Sequence, residues 1–217
     1  MSTRSRLPRA LALVSLFLLV ASIVAYSASN SHSKLNRFES AQGVPDSGTV
    51  NGSSAKLTRG DGVVWIRINT TGLPPGAYTN WWVIFNYPQF CTGGCGADDF
   101  SFNGGNPDVM ASVFFAAGGI VGQDGVGQFR AHLEEGPAPP LPSQTFFGPG
   151  LLNAQGAEIH YILRDHGPAS SDPDLLQKQL TTKWGGCDSG NVGGPDPVPA
   201  DRIYPCYDPQ ATALPLP

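Results

Sequence analysis

Charge is scarce in this chain. Only 14% of its 217 residues are Asp, Glu, Lys or Arg, and 17 acids outweigh 13 bases. An acidic surface does not track phosphates or lie on an anionic bilayer, so no nucleic acid is expected, and membrane contact only through the N-terminal segment. Histidine and methionine are few, four and two. There is no H-E-x-x-H helix, no G-x-S-x-G elbow, no P-loop and no G-x-G-x-x-G opening a helix. Those absences remove the usual signatures of zinc hydrolases, serine hydrolases, NTPases and dinucleotide enzymes. The four cysteines show no C-x-x-C spacing, which argues against a thiolate zinc site. Long apolar runs are also missing, with one exception at the start.

That exception, Leu11–Tyr26, follows Arg4, Arg6 and Arg9 and precedes Ser27-Ala28-Ser29. A basic stretch, an apolar run and a small-residue boundary are the parts of a secretory signal, with cleavage expected near Ser27. An uncleaved N-terminal anchor is the alternative, although the run is short for a spanning helix. Residues 1–27 hold three of the 13 bases and none of the acids, which leaves ten bases against 17 acids, net −7, in residues 28–217. The expected location is therefore outside the cytoplasm: extracellular, periplasmic or on the cell surface. In such a compartment four cysteines imply two disulfides. Three pairings are open. Cys91–Cys95 with Cys187–Cys206 is preferred, because each pair is local and flanked by Gly or Pro.

Glycine and proline are plentiful, 27 and 20. Short strands joined by turns are expected rather than helices. Residues 28–47 are polar and aperiodic and read as a spacer. A domain is expected over 48–190, and 191–217 as a Pro/Gly-rich tail tied down by a disulfide and loose after Asp208. Ser53–Thr58 and Val63–Asn69 flank Arg59-Gly60-Asp61-Gly62 as a hairpin; the first three turn residues also spell an adhesion tripeptide. Ala77–Tyr87 is the most apolar strand. Its Trp81 and Trp82 point opposite ways, so Trp82 beside Tyr78 is a candidate aromatic surface for sugar, unless a loop or the tail covers it. The Gly-rich loop over 88–107 carries Asp98, Asp99, Asn103 and Asn106, with Asp108 just beyond it, an oxygen-rich set without calcium-loop spacing. Ser171–Lys183 is the one good helix, capped by Ser171 or Asp172, with Leu175, Leu176 and Leu180 as its apolar side.

Two strands carry most of the ionisable groups. In Ala157–Gly167, Ile159, Tyr161 and Leu163 alternate with Glu158, His160 and Arg164, with Asp165 and His166 at the end. In Gln128–Glu135, Phe129, Ala131 and Leu133 alternate with Arg130, His132 and Glu134. This pattern has two readings. One is a hydrogen-bonded polar face, with Arg164 paired to Glu158 or to a carboxylate on another strand. The other is a zinc or copper site, or a metal-dependent oxidoreductase, in which His132 and His160 meet if these strands are neighbours. His160 and His166 are too far apart on an extended strand to share an ion.

The order WWVIFNYP, a cysteine pair, NPDVMASVFFAAG, AEIHYILRDHGP and a later GGC resembles a family of exported, mostly bacterial proteins without an assigned activity. The resemblance implies a β-sandwich. In architecture the chain is also similar, more weakly, to CHRD domains and copper/zinc superoxide dismutases, though it lacks the H-x-H ligand spacing of the latter. The expected fold is all-β: an immunoglobulin-like or Greek-key β-sandwich of about eight strands with one short C-terminal helix. The expected function is non-enzymatic binding, or a cell-envelope role with an unknown ligand, no assigned catalytic residue and no required cofactor. The alternative is zinc or copper binding through the strand histidines, with His132, His160, Arg164, Asp165, His166 and Glu158 as the ligand or metal candidates.

Overall fold

A computed structural model describes residues 28–39, 46–140, 144–187, 204, 206–214 and 216. The expected export segment lies outside them. In chain order the elements are β1 Ser29–Ser33, β2 Asn36–Arg37, β3 Ser54–Arg59, β4 Val63–Thr70, β5 Gly76–Phe85, β6 Ala111–Val121, β7 Gly127–Glu134, β8 Gly136–Pro137, β9 Thr145–Phe147, β10 Gly150–Leu151, β11 Glu158–Asp165, α1 Pro173–Thr181 and β12 Tyr207–Leu214. Two antiparallel sheets face each other. The small one has the order β1-β3-β4-β7 and the large one β2-β12-β11-β5-β6-β9, while β8 and β10 form a separate ribbon. The chain is an all-β sandwich with one α-helix among the described residues.

Period two decides the inner layer. Val64, Ile66 and Ile68 of β4 and Phe129 of β7 meet Tyr78, Trp82 and Ile84 of β5 and Ile159, Tyr161 and Leu163 of β11 in one core. All ten residues of β5 are buried, because this strand is covered on both faces. Its other face, with Trp81, Val83 and Phe85, joins Val109, Val113, Phe100 and Phe147 in a second apolar cluster on the outside of the large sheet. The cover there is the 88–107 loop, pinned by the Cys91–Cys95 disulfide. Helix α1 also lies over β5 and β6. Gly118 permits that approach, since a Cβ there would sit 2.0 Å from the Leu180 carbonyl oxygen.

Several expectations are corrected. The stretch read as a spacer contributes β1 and β2, and Leu35 between them is fully buried. Its polar side chains mask a short edge strand that pairs with β3 through the backbone ladder. The tail is not loose after Asp208: β12 lies inside the large sheet, between β2 and β11. Small residues such as Ala211 and Ala213, half-buried and exposed on the outer face, carry little sequence signal. Trp82 and Tyr78 form no aromatic surface, at 1% and 0% exposed, because the small sheet covers them. Trp81, on the other face, is also buried. Arg59 points inward and is fully buried, so the adhesion tripeptide is not displayed. Its Nη1 donates to the Ala154 carbonyl at 2.8 Å. The helix is capped by Asp172, whose side chain accepts from Asp174 N and Leu175 N. Its buried residue is Gln179 rather than a leucine. That side chain accepts from Ser170 N and donates to the His166 and Pro168 carbonyls, fastening the helix to the end of β11.

Candidate functional site

Strand β11 carries the candidate site on its outward face. His160 Nε2 and Glu158 Oε1 lie 2.7 Å apart, as the two-residue spacing implies. The imidazole stands edge-on to Phe85, centroids 5.0 Å apart, and is flanked in register by Val83 on β5 and Ala213 on β12. These neighbours are short or flat, so the outer surface of the sheet is recessed here. Phe100 from the disulfide loop rises on one side, and Arg37 and Phe38 of the N-terminal segment rise on the other. The groove between them has a volume of about 420 Å³.

The loop wall is held by its own polar groups. Asp99 accepts from Thr92 N and Gly96 N, Asn103 donates to the Ala97 carbonyl, and Asn106 accepts from Asp108 N. Much of the oxygen-rich set in this loop therefore closes local turns.

Arg164, Asp165 and His166 are structural groups behind the groove. Arg164 is nearly buried. Its Nε donates to the Lys183 carbonyl at 2.9 Å, its Nη1 to Asp208 at 2.8 Å, and its guanidinium lies 5.0 Å from the Trp184 ring centroid. The expected partner carboxylate on another strand is thus Asp208 of β12, not Glu158. Asp165 is fully buried and accepts from Gly167 N and Tyr204 OH. Burial raises its carboxyl above the ordinary range, against the pull of those hydrogen bonds. His166 is fully buried between Thr79 Oγ1 and the Gly185 carbonyl, each at 2.7 Å. The carbonyl can only accept, so Nδ1 carries the proton and Nε2 accepts from Thr79, which in turn accepts from Trp81 Nε1. Burial, with Arg164 nearby, pushes this imidazole down to about 3.

The two-histidine metal site is not formed. His132 is on β7 in the small sheet and His160 on β11 in the large one, and their side chains leave opposite outer faces of the sandwich. Among the described residues, one group of three or more His, Cys, Asp or Glu donors comes together: His166 with Cys187 and Cys206. Both sulfurs of that group are joined to each other in a disulfide, and both ring nitrogens already have partners.

Some contributors were not legible. Phe100 sits in a loop without periodicity, and Ala211 and Ala213 lie in a segment read as loose tail. Lys183 is held against Phe146, Trp184 and Trp81, at 4.1, 5.2 and 5.8 Å from the ring centroids. Burial pushes its ammonium down to about 8. A lysine at a helix end gives no such signal in sequence. No protein-family model, curated protein or solved structure matches this chain.

Proposed function

We propose that this is an exported, non-enzymatic binding protein of the cell envelope, and that the groove over β11 holds a small, largely apolar ligand with one hydrogen-bond donor. The carrying observation is the lining: a mainly apolar concavity of about 420 Å³ with one imidazole in it, which Asn36, Arg37 and Asp208 also line. Binding sites for small molecules have this make-up, mostly apolar with a few placed polar groups. In the neutral ring, donation from His160 Nε2 to Glu158 leaves Nδ1 as the acceptor for a ligand. Export rests on the N-terminal pattern and agrees with two disulfides. The resemblance to exported sandwich proteins belongs to the same proposal.

The test uses 1-N-phenylnaphthylamine, a neutral fluorescent probe with one N–H. The secreted chain binds it in a saturable way. Ile162→Trp, which fills the groove, abolishes binding. His160→Phe weakens it about fivefold, the value of one neutral hydrogen bond near 1 kcal/mol. Binding that survives Ile162→Trp unchanged, or none in the native chain, overturns the assignment. N-terminal sequencing of the secreted product tests cleavage near Ser27.

A further inference from the structure

The small sheet turns a different surface to solvent. In the β-register His32 of β1 lies opposite Lys56 of β3, Lys56 opposite Arg67 of β4, and Arg67 opposite Arg130 of β7. All four are exposed. They form one row straight across four strands, about 14 Å long at roughly 4.8 Å per strand. Lys56, Arg67 and Arg130 are like charges directly opposite one another, an arrangement that destabilises a sheet. In a chain where acids outnumber bases 17 to 13, an unbroken row of this kind is unexpected. Among the described residues no carboxylate is ion-paired with it. The two ion pairs present there, His160–Glu158 and Arg164–Asp208, belong to the large sheet.

The adjacent row sharpens the picture. Thr58, Trp65 and His132 lie opposite one another, and Trp65 is 45% exposed on a sheet face where a polar residue would suffice. Together the two rows line a shallow trough of about 350 Å³. The row on the other side, Ser54, Asn69 and Gln128, is uncharged. The nearest acid of these strands on this face, Glu134, lies beyond His132 at the end of β7.

We propose that this face binds an anionic polysaccharide, a linear polymer of carboxylated or sulfated sugars. The charged groups of the polymer run along Lys56, Arg67 and Arg130, and one sugar ring lies flat on Trp65. Charge complementarity requires an anion, and the line of charges requires an extended one. Duplex nucleic acid fits less well: it carries one charge per about 1.7 Å, far closer than the roughly 4.8 Å between the cations of this row. The choice of a glycan draws on the proposed export; the site itself is independent of the groove, which opens on the opposite face.

The experiment is calorimetric titration of the secreted chain with polygalacturonate and with heparin, at about 50 and 200 mM salt. The native chain binds at least one of the two and does not bind neutral dextran, and its affinity falls as salt rises. The Arg67→Gln/Arg130→Gln double variant binds at least tenfold more weakly, and its salt dependence is flatter by about two counterions. Trp65→Ala binds about fivefold more weakly with an unchanged salt slope, the mark of lost ring contact rather than lost charge. Ile162→Trp, which fills the groove, leaves glycan binding intact. The proposal is overturned if neither polymer binds at low salt, or if the double variant binds as the native chain does. It is equally overturned if duplex DNA or phosphatidylglycerol vesicles bind more tightly than both glycans.

Discussion

His166 is a titratable side chain that this fold buries completely. It connects Trp81 and Thr79 of β5 to the Gly185 carbonyl beyond the helix, beside the Cys187–Cys206 disulfide. Its folded pKa, about 3, is below the ordinary histidine value near 6.5. Between those two values the unfolded chain binds the extra proton and the folded chain does not. Stability contributed by the neutral ring is therefore full above about pH 6.5 and is lost as pH falls towards 3, by up to about 1.4 kcal/mol per unit. Glu39 and Asp165, both raised by burial, act with the opposite sign. Comparison with His166→Gln isolates the histidine share. Thermal melts from pH 7 to pH 5 should show a steeper loss in the native chain than in the variant, and parallel profiles would remove His166 as the cause.

At the scale of elements, β12 is the piece that completes the large sheet. It pairs with β11 along most of its length, and the Cys187–Cys206 disulfide, 19 residues apart in sequence, ties its start to the end of the helix segment. Closing a loop of that size stabilises by about 3 kcal/mol in the chain-entropy model. The Cys187→Ser/Cys206→Ser double variant should lose that amount in urea unfolding while Cys91→Ser/Cys95→Ser, with its much shorter loop, loses less. Equal losses would contradict a role for β12 tethering.

The strands that carry alternation were legible: β4, β5, β7 and β11 fall within a residue or two of the expected spans, because one face of each meets a core. Both disulfides were legible from spacing. What escaped was set by tertiary pairing. β1 is polar because it is an edge strand held by its backbone ladder, and β12 shows little alternation because its outward Ala211 and Ala213 are small. Which sheet each polar face belongs to is a matter of chain crossing between layers, and no local pattern records it. Glu158–His160 was legible as a pair; the separation of His132 from His160 was not.

For the molecule as a whole, the two proposals give the sandwich two working faces. The large sheet offers an apolar groove with His160 in it, and the small sheet offers a row of cations beside Trp65. Buried layers separate them, so each can be filled without the other.

The most direct measurement is a pair of amide chemical-shift maps of the same labelled protein, one with 1-N-phenylnaphthylamine and one with a short oligogalacturonate. Two separate sets of shifts are expected. The neutral probe moves His160, Ile162 and the Ala211 to Ala213 segment, and the oligogalacturonate moves Lys56, Trp65, Arg67 and Arg130. Shifts from both ligands on one face, or from neither on these residues, would contradict the assignment of two independent binding faces.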